Sequence, residues 1–196
     1  MSSPLHIGLL LCHTFEPILE QVGGLNYPAI FRKQFLAIDH NIRFTDFKAY
    51  TGELPNNVDQ CDVWLINGSP AGVYEDIEWI HQLSDFIKQL DKVKKPTFGI
   101  CFGHQLMAQV LGGKVSLSHK GWGIGASHNK VVEHASFMQP KAEMIDVMVF
   151  HQDQVVQLPK GAKVLASSDF CPNYMVQYNP HMLSIQGHPE FNTQMV

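Results

Sequence analysis

Apolar positions along this chain follow two different periods. Short unbroken apolar runs at His6–Leu11, Cys61–Ile66 and Thr97–Ile100 read as buried strands, and Phe44–Tyr50 alternates as a further strand. Between them Ile30, Phe31, Phe35 and Ile38 recur at helical spacing over Tyr27–Ile38. Ile77, Ile80, Leu83, Ile87 and Leu90 likewise share one face of a helix over Ile77–Leu90. A third helix is predicted over His104–Leu111, stopped by Gly112-Gly113. Polar Thr51–Gln60 and the turn Asn67-Gly68-Ser69-Pro70 separate the elements. Beyond Gly113 the rhythm changes: candidate strands at Lys130–Val132, Met144–His151, Lys163–Ser167, Met175–Tyr178 and Leu183–Gln186 follow with little helical signal.

Strand and helix signals that alternate predict a parallel sheet covered by helices on both faces. The later strands read as a β-rich addition returning to that sheet. The expected class is therefore α/β: a three-layer sandwich with a mixed, mainly parallel sheet and its site at the carboxyl ends of the strands. No repeat, low-complexity tract or linker interrupts the pattern, so residues 1–196 are expected to form a single domain.

Composition removes several function classes. Hydrophobic residues make up 45% of the 196 positions, enough for a core. The net charge is −4 and no long basic run exists, so no nucleic-acid partner is expected. No apolar run approaches a membrane span, and Ile7–Leu11 is too short for the apolar stretch of a signal peptide. Cysteines at 12, 61, 101 and 171 form no Cys-x-x-Cys pair, which argues against a zinc site or a disulfide framework and for a reduced cytoplasm. The eleven histidines include no His-Glu-x-x-His helix, so no metal site is expected.

Candidate chemistry sits at Gly99-Ile100-Cys101-Phe102-Gly103. A strand that reaches Gly-x-Cys-x-Gly and turns at once into a helix is the thiol form of a nucleophile elbow. Glycines on both sides let the tight turn pack, and the helix N-terminus favours an anion at the sulfur. A cysteine nucleophile needs a base, and the base needs an acceptor that fixes its tautomer. Gln186-Gly187-His188-Pro189-Glu190 supplies both after a strand, which gives the order Cys101…His188-x-Glu190. Cys12, Cys61 and Cys171 read as small buried hydrophobes and His104 as structural. His151 is evenly balanced between a strand end and a pocket wall. Trp64 and Trp79 are expected in or against the core, and Gly121, Gly123 and Gly125 in a loop near the pocket.

The set Gly68-Ser69-Pro70, Gly99-Ile100-Cys101-Phe102-Gly103-His104-Gln105 and Gly187-His188-Pro189-Glu190 resembles the class I (triad) glutamine amidotransferases. Ser118-His119-Lys120-Gly121-Trp122-Gly123 and His151-Gln152-Asp153-Gln154-Val155 are similar to the stand-alone, GMP-synthase-like subgroup. The likeness runs from the first strand to Phe191 and implies the flavodoxin-like fold of that family.

It also implies glutamine hydrolysis through a γ-glutamyl thioester on Cys101, with ammonia as leaving group and His188 and Glu190 as base and acid partner. Backbone N–H groups of Phe102 and of the Gly68-Ser69 turn would hold the oxyanion. Gln105 and main-chain groups around Gln152, Asp153 and Gln154 would hold the amino-acid end of the substrate. The residues match no synthetase domain, so the ammonia acceptor cannot be read from them, and a separate synthetase stands as a candidate partner. The resemblance implies no metal or organic cofactor for this half-reaction. The chain stops six residues after Glu190, where related domains add a helical segment, so either a shortened chain or an unusual end is expected. Two alternatives stand beside this reading. One is a γ-glutamyl peptidase or hydrolase using the same triad; the other is a non-catalytic regulatory module that keeps the fold.

Overall fold

The computed structural model describes residues 3–14 and 26–191. Its elements run β1 (His6–Leu10), α1 (Tyr27–Ile38), β2 (Arg43–Phe47), β3 (Val63–Ile66), α2 (Glu78–Lys92), β4 (Thr97–Ile100) and α3 (Phe102–Val110). Then follow β5 (Lys114–Leu117), β6 (Gly123–Val131), β7 (Met144–His151), β8 (Asp153–Gln157), β9 (Lys163–Ser167), β10 (Met175–Asn179) and β11 (Met182–Ile185).

Nine strands form one sheet in the order β2-β1-β3-β4-β11-β10-β9-β6-β7, while β5 and β8 pair separately. The pairs from β2 to β11 are parallel and those from β11 to β7 antiparallel, so only β10 and β6 run against the others. The sheet is thus mixed and mostly parallel, as the alternating pattern predicts.

Two apolar layers flank it. Leu9, Leu65 and Ile185 pack with Tyr27, Ile30 and Phe31 of α1 on one face. Leu10, Trp64 and Ile66 pack on the other with Ile80, Leu83, Ile87 and Leu90 of α2 and Leu106 and Met107 of α3. Because successive strand residues point to opposite faces, Leu65 and its neighbours Trp64 and Ile66 serve different layers, and continuous apolar runs are required. Helix α1 starts where Asn26 caps Ala29 N–H at 2.9 Å, with Pro28 preset for the first turn.

Some elements depart from their sequence signals. The alternation predicts strand throughout Phe44–Tyr50, but β2 ends at Phe47 and Ala49–Thr51 is a single 3₁₀ turn. There Tyr50 N–H donates to Leu11 O, which binds the turn to the chain leaving β1. The expected glycine loop is partly strand: β6 begins at Gly123 and pairs with β7, with Gly123 facing His151. A Cβ at Gly123 would stand 2.7 Å from the Phe170 ring, so the absent side chain serves packing. Strand β5 alternates for only four residues (Lys-Val-Ser-Leu) and β8 (Asp-Gln-Val-Val-Gln) does not alternate, and neither is among the strands expected from the sequence.

Candidate active site

Three neighbouring parallel strands bring the chemistry together. The ends of β3, β4 and β11 lie side by side, with Ile66 opposite Gly99 and Ile185 opposite Ile100. The next residues in each segment deliver Gly68, Cys101 and His188. Asn67 ties two strand ends: its Oδ1 accepts from Cys12 N–H at 2.6 Å and its Nδ2 donates to His13 O at 2.9 Å.

Cys101 occupies the elbow with φ 51° and ψ −102°. That left-handed conformation is costly for a side chain with a Cβ, and such strain persists only where surrounding contacts hold it. The contacts are backbone to backbone. Cβ atoms would meet Gly103 O at 2.6 Å from Gly99, and Ile66 O at 2.5 Å from Gly103. Only glycines allow β4, α3 and β3 to cross so closely. Helix α3 therefore begins at Phe102, two residues earlier than its periodicity suggests, and leaves its first N–H groups near the sulfur.

His188 is fixed from several directions. Its N–H donates to Met148 O at 2.8 Å, and its ring lies flat on Phe191 at 4.2 Å and 4°. Nδ1 bonds Glu190 Oε1 at 2.7 Å, which makes Nδ1–H the donor and leaves Nε2 for Cys101. Cys101, His188 and Glu190 are 6%, 3% and 2% exposed. Burial by itself would lower the His188 pKa, but the negative charges of Cys101 and Glu190 and hydrogen bonds to both outweigh it and push it up to about 10. The imidazole is thus held as its cation at neutral pH.

Cys101 and His188 border a cleft of about 310 Å³ whose wall includes Ser69, Gln105, His151, Gln152 and Asp153. Its outer edge carries Leu117, Trp122 and Phe150, all more than half exposed, with the two rings 5.2 Å apart. Gln105 turns inward: its Nε2 donates to Asp153 O at 2.9 Å and to Gln186 Oε1 at 3.1 Å. Gln154 is buried and lies outside the cleft lining. Gly68 lies behind the imidazole, where a Cβ would stand 2.8 Å from His188 Cε1. Phe102 packs its ring against Trp79 at 5.4 Å.

His151 lines the cleft, and burial above all lowers its pKa to about 4, so it is neutral at neutral pH. His104 is enclosed, its Nδ1 2.7 Å from Ser184 Oγ. Burial pushes the Cys61 thiol up to about 11 and Cys171 up to about 12, and raises Cys12 as well. Among the described residues no group of three or more His, Cys, Asp or Glu is disposed to hold a metal. No helix among them is long and apolar enough to cross a membrane.

Three neighbours of the site have no role in the sequence reading. Gln186 Nε2 lies 3.7 Å from Cys101 Sγ, Phe191 carries the imidazole, and Tyr27 donates its hydroxyl to Glu190 Oε1. Gln186 and Phe191 flank the Gly-His-Pro-Glu segment, and that adjacency is an available signal. Tyr27, 163 residues away from Glu190, offers none.

The family model for glutamine amidotransferase class-I matches residues 31–195. Among curated proteins, "Gamma-glutamyl peptidase 3" of Arabidopsis thaliana is 35% identical over 159 residues, covering 76% of this chain and 64% of that protein. This chain thus spans somewhat under two thirds of that relative's length. A glutamine-hydrolysing GMP synthase subunit of Sulfolobus acidocaldarius is 32% identical over 130 residues, 66% of this chain and 67% of that one. A solved glutamine amidotransferase from Thermotoga maritima superposes with TM-score 0.82 at 20% identity, over all of this chain and 80% of that one, a likeness of fold.

Proposed function

The chain belongs to the class-I glutamine amidotransferase family, and we propose that it hydrolyses the amide of a γ-glutamyl group through a thioester on Cys101. The observation that carries this reading is a sulfur held on a positive-φ elbow beside the buried His188–Glu190 pair, at the edge of an open cleft. The thiolate attacks the amide carbon, a sulfur–carbon bond forms, and the carbonyl oxygen becomes an oxyanion. N–H groups of Phe102 and of the Gly68-Ser69 turn receive it; a donor of this kind contributes about 3–4 kcal/mol in the transition state. As the carbon–nitrogen bond breaks, the departing amine takes the proton of the His188 imidazolium. The neutral imidazole then takes a proton from water while the water oxygen attacks the thioester. Glutamate leaves, and thiolate and imidazolium are restored. Glu190 keeps Nδ1–H pointed at itself throughout, so Nε2 always faces the reaction.

The leaving amine decides between two substrates. The exposed aromatic edge of Trp122 and Phe150 and the similarity to proteins named gamma-glutamyl peptidases favour a γ-glutamyl amide larger than glutamine. Similarity to the GMP synthase subunit supports the second reading, free glutamine with ammonia passed to a separate synthetase. Glutamate and amine release should be measured from glutamine and from γ-glutamyl dipeptides, with wild type and Cys101→Ala. The substitution should remove at least about a thousandfold of turnover. Equal release by both proteins would refute the role of Cys101, and strong preference for free glutamine would reverse the substrate assignment.

A further inference from the structure

The structure points to Tyr27 as a positioning residue for this reaction: we propose that its hydroxyl locks the Glu190 carboxylate in the orientation from which it holds His188. The inference rests on the reading of Cys101, His188 and Glu190 as the reacting set.

Two donors converge on one oxygen. Tyr27 Oη–H and His188 Nδ1–H both donate to Glu190 Oε1. The second oxygen, Oε2, is buried and has no hydrogen-bond partner among the described residues. The described hydrogen bonds to the carboxylate therefore come from Tyr27 and from the imidazole that the carboxylate must orient. A group cannot fix its own support: without Tyr27, the imidazole would be held by an acid that the imidazole itself was holding. Glutamate has several rotatable bonds, so an acid anchored at one point swings more freely than one anchored at two.

Tyr27 can act as the fixed end. It is fully buried in the first turn of α1, between the Asn26 cap and Pro28. Its ring meets Phe31 edge-on at 5.3 Å and Phe191 edge-on at 6.0 Å. Phe191 is the ring on which His188 lies flat, so one aromatic cluster carries both the imidazole and the donor to its acid. The same helix reaches the turn a second time, where Gln34 Nε2 donates to Pro189 O at 3.1 Å. Burial, and then the Glu190 charge, hold the phenol well above its ordinary pKa, so the hydroxyl stays a donor wherever the imidazolium exists. Tyr27 is fully buried and is not among the residues lining the cleft, so it acts through Glu190.

Tyr27→Phe removes one oxygen and keeps the ring. The expected result is a fall in kcat of about tenfold to a hundredfold, the loss of one hydrogen bond to a charged group, with KM within about threefold. The downfield Nδ1 proton resonance of His188 should move or broaden, because its acceptor has lost the second donor. In a Glu190→Gln background the same substitution should change kcat by less than about twofold, since the group it acts through is already altered. A role in packing alone would lower the melting temperature and leave both the resonance and the turnover of the folded protein in place. Turnover within about twofold of wild type, or an unmoved resonance, overturns the proposal. If wild type cleaves no γ-glutamyl amide, the functional reading fails separately, and the resonance alone still decides the role of Tyr27.

Discussion

Gly68→Ala tests whether the imidazole is seated as tightly as the geometry requires. The new Cβ would stand 2.8 Å from His188 Cε1 and 3.6 Å from Cys101 Cβ. Gly68 has no positive φ, so alanine fits the backbone and the effect is purely steric. Ordinary contact begins near 3.4 Å, so the gap must open by about 0.6 Å. His188 has little freedom to yield, with Phe191 stacked on its ring, Glu190 on Nδ1 at 2.7 Å and Met148 O on its N–H at 2.8 Å. A misplacement of about 1 Å in a catalytic group costs about a hundredfold, so a tenfold to hundredfold loss of kcat is expected. Overpacking of this kind costs about 1–3 kcal/mol of stability, which leaves the protein folded. Steady-state turnover of a γ-glutamyl amide, normalised to the folded fraction from a urea melt, separates the two effects. Turnover within about threefold of wild type would refute the reasoning, because the imidazole would then have room that these contacts deny it.

Other perturbations reach different parts of the same machinery. Gly187→Ala places a Cβ in overlap with the Tyr174 hydroxyl and should destabilise by about 1–3 kcal/mol in urea unfolding, with partial recovery in a Gly187→Ala/Tyr174→Phe double variant. Cys101→Ala removes the charge that does most to raise the His188 pKa, so an NMR titration of that imidazole should show its midpoint falling from about 10. In the wild type the stabilising effect of that raised pKa is full below the unfolded value near 6.5 and is lost as pH climbs through about 10. In the variant that contribution should be smaller, and its loss should be complete at a lower pH. His104 behaves oppositely: burial and then the charge of His151 lower its pKa to about 3, so its contribution is full above pH 6.5 and lost as pH falls toward 3. The total is on the order of 5 kcal/mol, and His104→Gln should flatten the acid limb of stability against pH; an unchanged limb would reject the assignment.

The parts of the fold that are legible in sequence are those written in local period. Leu9, Leu65 and Ile100 belong to short continuous apolar runs because parallel strands are buried on both faces, and α2 declares itself through Ile80, Leu83, Ile87 and Leu90. The elbow is legible for a different reason. Gly99 and Gly103 have no alternative where backbone approaches backbone, so the constraint appears as residue identity at fixed spacing. β5 and β8 escape notice because each is short and half exposed, with Leu117 and Val156 turned outward against any simple alternation. Gly123 and Gly125 read as loop residues because a glycine that admits a ring and one that admits a bend look alike in sequence.

The same distinction explains why the acid's second donor is invisible in sequence. Cys101, His188 and Glu190 stand at the ends of β4 and β11, and strand order brings those ends together whatever else the chain does. Tyr27 reaches Glu190 from a helix lying across the sheet. Its hydroxyl is specified by no turn, cap or period, only by the depth at which α1 packs. A phenylalanine there would satisfy every local rule that shapes α1, the buried face and the edge-on contact with Phe31 included. The hydroxyl on an otherwise apolar, fully buried ring is therefore the atom that local folding rules leave unexplained, and the oxygen it meets belongs to the acid behind His188. Burying a hydroxyl is unfavourable unless it finds a partner, and here the partner is a carboxylate that would itself be costly to bury unpaired. Each group offsets the desolvation of the other. His188 is thus tied to the helical layer through Glu190 as well as to the strand that carries it.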